Sequence, residues 1–144
     1  MAGTATATVT SRKGRGLIRV DIDVVCASGA VSATPIGSFF GRLVGVIFDP
    51  VAGAGATMAS TADVLLTDTA SGAPILSDLS VGAAANTYRP TQVITDNAGA
   101  AITAATTAPN VNRDIYLAGA ISLAIANATT TDTARITLLV QEAN

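Results

Sequence analysis

The chain of 144 residues has no histidine, no tryptophan, one cysteine (Cys26) and one lysine (Lys13). Without histidine it lacks the commonest general base and the commonest zinc ligand. A single cysteine excludes an internal disulfide framework and a thiolate-rich metal site. The arginines Arg12, Arg15, Arg19, Arg42, Arg89, Arg113 and Arg135 are scattered, and the net charge is −2. Nucleic-acid binders need clustered Lys/Arg to displace counterions from phosphates, so that class is excluded. Aromatic residues at 3% are too few to form stacking platforms for single strands. Together these absences leave no catalytic residues, no cofactor, no metal and no small-molecule substrate to expect. The chain reads as a non-enzyme.

Charged residues make up 12% and apolar residues 49%, a balance that excludes a solvated disordered tail. The length suits one domain over 1–144, large enough to bury roughly two thirds of its unfolded surface. The longest uncharged apolar stretch, 115–127, falls short of the ~20 residues of a spanning helix. Alternating Ser, Ala and Gly make it a strand instead. The first residues alternate Ala and Thr ahead of any basic residue, which is not the order of a secretory leader. The expectation is a soluble protein with an unpaired thiol, no membrane contact and no nucleic-acid partner.

What is present is a period of two. Ala5, Ala7 and Val9 alternate with Thr4, Thr6, Thr8 and Thr10, which predicts a thin strand with one threonine face. Ile18, Val20, Ile22, Val24 and Cys26 share one parity, and Arg19, Asp21 and Asp23 the other. A strand separates such a set by face, whereas a helix would scatter it. Ser11-Arg12-Lys13-Gly14-Arg15-Gly16 between them reads as a turn, giving a hairpin or a strand-bulge-strand. Residues 1–15 are therefore an extended N-terminal arm or a first strand and turn. Residues 39–49, FFGRLVGVIFD, are apolar on both parities, which predicts a strand buried on both sides or placed centrally, ended by Pro50. Residues 51–62 read as a Gly/Ala loop with one helical turn near Met58.

Residues 63–68, DVLLTD, predict a short strand that turns through 69–72 toward Pro74-Ile75-Leu76. Between 77 and 112 the best strand is 92–95 and the best turn 96–99. Ile115, Leu117, Ile121, Leu123 and Ile125, then Ala134, Ile136, Leu138 and Val140 across a polar loop 128–132, predict a hairpin with matched apolar faces. Seven or so short strands without a convincing helix point to an all-β protein: an antiparallel β-sandwich, jelly-roll-like, or a barrel.

Few residues carry candidate chemistry. Arg12, Lys13 and Arg15 form the only basic cluster and are the candidate protein-interface residues, set against a plain solvated turn. Asp21 and Asp23 share a face, but calcium needs six to eight oxygens and no neighbouring loop supplies them. Outward charges on a half-exposed strand explain the pair, and strand ends explain Asp63 and Asp68. Cys26 continues an apolar stripe with no His or Lys beside it, so it reads as a small buried hydrophobe. Asn127-Ala128-Thr129 fits a glycosylation acceptor, a match with little weight when no secretory leader precedes it. Gly53, Gly55 and Gly72 are loop glycines outside any phosphate-binding pattern.

The run 41–50, GRLVGVIFDP, followed by a Gly/Ala loop and 63–68, DVLLTD, with its Ser-Gly turn, resembles small proteins from the head-gene modules of tailed bacteriophages. Residues 119–129, GAISLAIANAT, and 133–140, TARITLLV, continue the likeness, which covers about 38–140. The resemblance implies a capsid decoration, or cement, protein. Such a protein is a compact β-fold on the outer surface of the capsid in the virion that staples neighbouring capsomers, so the major capsid protein is the expected partner. Copies of the chain itself, as a dimer or a trimer, are expected partners that the resemblance does not decide between. It implies no catalytic residues. Another phage structural module (tail tube, fibre or head-fibre base) and a carbohydrate- or receptor-binding sandwich are the alternative readings. A thin Ala/Thr strand also suggests pairing with another chain, so that removing 1–11 would weaken association more than folding.

Overall fold

The computed structural model of the protein describes residues 3–12, 16–50, 56–78, 85–89, 91–93, 112–129 and 131–142. Among them there is no helix. The strands are β1 (Thr4–Arg12), β2 (Leu17–Val25), β3 (Val31–Asp49), β4 (Ala56–Thr57), β5 (Asp63–Asp68), β6 (Pro74–Asp78), β7 (Asn86–Tyr88), β8 (Thr91–Val93), β9 (Asn112–Asp114), β10 (Tyr116–Ala126) and β11 (Asp132–Glu142). One nine-stranded sheet runs β1-β2-β11-β3-β10-β5-β6, with β4 added to β11 and β7 to β3, while β8 and β9 pair apart from it. Every pairing is antiparallel except β4 with β11. The protein is all-β, and its described sheet is open, ending at β1 and β6.

The period-two segments fold as their parity requires. On β2, Val20, Ile22 and Val24 are buried and Cys26 continues them just beyond the strand, while Arg19 and Asp23 are exposed and Asp21 is half-buried. β1 pairs with β2 without a bulge from Thr4↔Val25 to Arg12↔Leu17, so these residues are a first strand of the sheet. Its Ala5 and Ala7 pack on the core while Thr4, Thr6 and Thr8 face solvent. The turn between them lies largely outside the described residues. β5 takes the expected bounds, and Gly72, at φ +69°, sits in the turn to β6. β8 overlaps the strand expected at 92–95, and the turn expected at 96–99 lies outside the described residues.

β3 differs most from expectation. It begins at Val31 rather than Phe39 and runs for 19 residues. Pro35 is accommodated because the ladder with β10 slips between Ile121 and Ser122, leaving Ile36 as the extra residue of a bulge. The strand is central, as one of the two expected alternatives had it, and its inward parity changes at a second slip that leaves Val44 as an extra residue against β11. Phe39 and Leu43 before it and Val46 and Phe48 after it enter the core, whereas Phe40 and Val44 are exposed. Its first part pairs with β10 and its last part with β11, the exchange falling at Gly41 and Arg42, which pair with both. Gly41 has φ +143°, and a Cβ there would lie 2.1 Å from the Gln141 carbonyl oxygen. No side chain fits where three strands converge so tightly.

That exchange overturns the hairpin expected from 115–140. β10 and β11 form where predicted, but β3 lies between them in the sheet. Their matched apolar faces meet in the shared core, with Leu123 and Ile125 in the same cluster as Ile136 and Leu138, rather than side by side in one ladder. The connection bends through Asn127 (φ 55°) and Thr131 (φ 78°), which carries the chain from one part of the sheet to another. Among the described residues near Met58 there is no helix; a single turn closes at 59–62, where the Ala62 N–H donates to the Ala59 carbonyl at 3.0 Å. Ala56–Thr57 instead pairs with Asp132 and Thr133, and the Met58 N–H donates to the Pro50 carbonyl at 3.1 Å. The pull is burial: Met58 is 1% exposed.

Asp132 ties these connections together. It is 1% exposed, and its carboxylate accepts from the N–H groups of Ala59 (2.9 Å) and Thr129 (2.8 Å) and from the Thr129 hydroxyl. Its carbonyl accepts from the Cys26 N–H at 2.8 Å. Burial pushes its pKa up, but the bonds from Thr129 and Ala59 outweigh burial and hold it below the usual carboxylate range. A carboxylate lowered in the folded state adds stability that is complete above its unfolded value, about 3.9, and is lost as pH falls through the lower folded value. Asp132→Ala, which leaves those donors unpaired, is expected to cost roughly 2–4 kcal/mol in urea unfolding. Asp132→Asn is expected to flatten the loss of stability below about pH 4. Gly41→Ala is expected to lower stability by roughly 3 kcal/mol or more in the same assay.

Candidate interaction surface

The outer face of β3 and β10 carries the largest exposed side chains. Phe40, Arg42 and Val44 recur at every second residue of β3, so they point away from Phe39, Gly41 and Leu43. In the register, Phe40 lies opposite Ala118 and Arg42 opposite Tyr116. The Ile115 carbonyl accepts from the Leu43 N–H, so the odd-numbered residues of β10 bond toward β3. Phe40 with Ala118 and Arg42 with Tyr116 are therefore non-hydrogen-bonded pairs, the type with the closest side chains. Phe40 is 62% exposed, Tyr116 69% and Val44 38%. Phe40 and Tyr116 sit on the diagonal of the ladder, within reach of each other for aromatic side chains.

Arg42, opposite Tyr116 in the register, is fixed by two side-chain partners. One guanidinium nitrogen is 3.1 Å from Asp114 Oδ2, and the other donates to Gln141 Oε1 at 2.8 Å. The ion pair is half-exposed and contributes little stability, but it fixes the guanidinium on the same outer face as Phe40 and Tyr116. Next to this face, between β10 and the β5–β6 turn, is a cavity of about 510 Å³ lined by Ile75, Ile115, Leu117, Ile121 and Ser71, with Tyr116 on its rim. Asp68 in its wall has its pKa lowered by the Ser71 hydroxyl, with the Ala70 and Ser71 N–H groups adding to that.

The sequence-derived candidates fall elsewhere. Of Arg12, Lys13 and Arg15, only the backbone of Arg12, at the end of β1, lies within the described residues. Asp21 and Asp23 face outward as expected and are paired with neighbours. Asp21 accepts from Arg19 Nε (2.9 Å) and the Thr137 hydroxyl (2.6 Å), and Asp23 from Arg135 Nε (2.7 Å). Arg19 is the main cause of a lowered Asp21 pKa. Asp63 and Asp68 are the two ends of β5, and Asn127 Nδ2 donates to Asp63 at 2.5 Å. Among the described residues, no group of three or more His, Cys, Asp or Glu could hold a metal ion. Among the described residues no helix is long and apolar enough to cross a membrane.

Sequence reasoning missed Phe40, Val44 and Tyr116. Residues 39–49 are apolar on both parities partly because the core face changes parity at Val44, from Phe39 and Leu43 to Val46 and Phe48, so the pattern did not separate Phe40 and Val44 from the core. Cys26 behaves as read: it is buried, and desolvation together with the nearby Asp132 charge pushes the thiol up to about 11. A thiol reagent at pH 8 is expected to leave Cys26 unmodified in the folded protein and to modify it fully in denaturant. Comparison with known proteins identified no matching family model, no matching curated protein and no matching solved structure.

Proposed function

We propose that this chain is a virion structural protein, a decoration protein that binds the outer surface of a bacteriophage capsid and bridges neighbouring capsomers. The observation that carries the reading is the exposed cluster of Phe40, Tyr116 and Val44. In a chain whose aromatic content is 3%, two of its largest side chains are exposed on one outer face around a fixed arginine. Aromatic side chains and arginine are the residues enriched at the centres of protein interfaces. The step from a protein interface to a phage shell comes from the resemblance of 41–68 and 119–140 to head-module proteins.

The finer architecture belongs to the same proposal. A β-sandwich follows if the sheet folds over at the Gly41 exchange, with β3 shared by a β1-β2-β11 layer and a β10-β5-β6 layer. The single cluster joining Ile22, Ile136, Leu66 and Leu123 supports this arrangement. Such a body needs no chemical step. Each contact with the major capsid protein can be weak, because a subunit held at one capsomer meets the next at high effective concentration. Binding sites spaced correctly only on the expanded shell would stabilise that shell by mass action.

The test is cosedimentation with purified mature heads that lack the protein, followed by a thermal-release assay of their DNA. Binding that raises the release temperature is expected. Phe40→Ser combined with Tyr116→Ser is expected to weaken binding by about tenfold or more. The thermal midpoint of the isolated protein should stay within about 3 °C, since both side chains are exposed. Heads that neither bind the protein nor gain stability from it would overturn the proposal.

A further inference from the structure

β1 ends the sheet, and the backbone shows which of its residues face outward along the ladder. The Cys26 N–H donates to the Asp132 carbonyl, and the Glu142 N–H donates to the Gly16 carbonyl. The even-numbered residues on the β2 side therefore bond toward β11, and by alternation the odd-numbered residues of β2 bond toward β1. In the register Thr4↔Val25 to Arg12↔Leu17, the even residues of β1 bond β2. Ala5, Ala7, Val9 and Ser11 are left directing N–H and C=O along the outer edge. Near its start β1 lies against β3, because a Cβ on Gly3 would touch the Ala30 carbonyl and Val31. The open part of the edge is Ala7, Val9 and Ser11, to which no described strand pairs.

Edge strands of monomers are commonly protected by proline, charge, bulges or shortness. The opposite edge fits that rule: β6 has five residues, starts at Pro74 and pairs through a bulge. β1 has nine residues, no proline, no bulge and no charge before Arg12. Val9 is 54% exposed on it.

We infer that β1 pairs with β1 of a second copy, antiparallel across a two-fold axis at Val9. Val9 then faces Val9 of the other copy, and Ala7 faces Ser11 in both directions. Each facing pair exchanges two backbone hydrogen bonds. The arrangement covers the exposed valine with its own counterpart, and the same patch serves both partners as a two-fold axis requires. Charge favours the antiparallel order. A parallel in-register pair would bring the two positions 12, both arginine, side by side, whereas here position 12 of each copy lies opposite Thr6 of the other. Strand pairing alone falls below the roughly 1,000 Å² of a stable interface, so the dimer forms at raised local concentration. This pairing is independent of the shell reading, because it is measured on the protein alone.

Sedimentation velocity from about 5 to 500 μM is expected to show a monomer–dimer equilibrium. Val9→Pro removes an edge N–H without touching the β1–β2 ladder or the core. It is expected to weaken dimerisation by about tenfold or more while leaving the thermal midpoint within about 3 °C. Val9→Cys places two thiols about 5.5 Å apart by Cα, inside the disulfide range, and is expected to crosslink under mild oxidation. Thr6→Cys, off the axis, is expected to remain uncrosslinked. A wild-type protein monomeric at the highest concentration would overturn the inference. So would Val9→Pro dimerising as tightly as wild type, or Thr6→Cys crosslinking as fast as Val9→Cys.

Discussion

One strand must serve two ladders, and the rest of the sheet is arranged around that requirement. β3 gives its first part to β10 and its last part to β11, so the two cannot lie beside each other although their sequences match as a hairpin. The exchange is possible only because Gly41 lets the backbone reach φ +143° where the Gln141 carbonyl leaves no space for a Cβ. A bulge at Ile36 accommodates Pro35 earlier in the same strand. The core then forms from whatever faces inward on both sides of the exchange: Phe39 and Leu43, Val46 and Phe48, with β2, β5, β10 and β11 around them.

The same constraint produces the exposed surface. A strand packed against the core on one face has to show its other face somewhere. On β3 that face is Phe40, Arg42 and Val44, bordered by Tyr116. On β2 and β11 the outward positions include charged residues that pair locally, Arg19 with Asp21 and Arg135 with Asp23, beside a single exposed valine, Val25. The contrast between a paired polar face on β2 and β11 and an aromatic one on β3 and β10 gives the proposed docking surface its place. The β1 edge adds a second, different kind of contact, made of backbone groups rather than side chains.

Asp132 shows how a polar residue can organise connections rather than chemistry. In the sequence it is the last residue of the polar loop 128–132. Its burial could not be read there, because it arises from Ala59, which is distant in sequence, and from the end of β2. A buried carboxylate that accepts several N–H bonds is stable where an unpaired one would not be.

The sequence by itself determined the strands whose alternation is clean, because side chains in a strand change face at every residue. β2, β5, β10 and β11, the outward Asp21 and Asp23 and the buried Cys26 were all legible in that period. It also placed β1 as a thin threonine-faced strand. Tertiary structure decided what pairs with what: that β3 starts at Val31, that it separates β10 from β11, and that Phe40 and Tyr116 face solvent while Phe39 does not. Periodicity records which residues share a face. It does not record which neighbour covers that face, since packing depends on contacts between residues far apart in the chain.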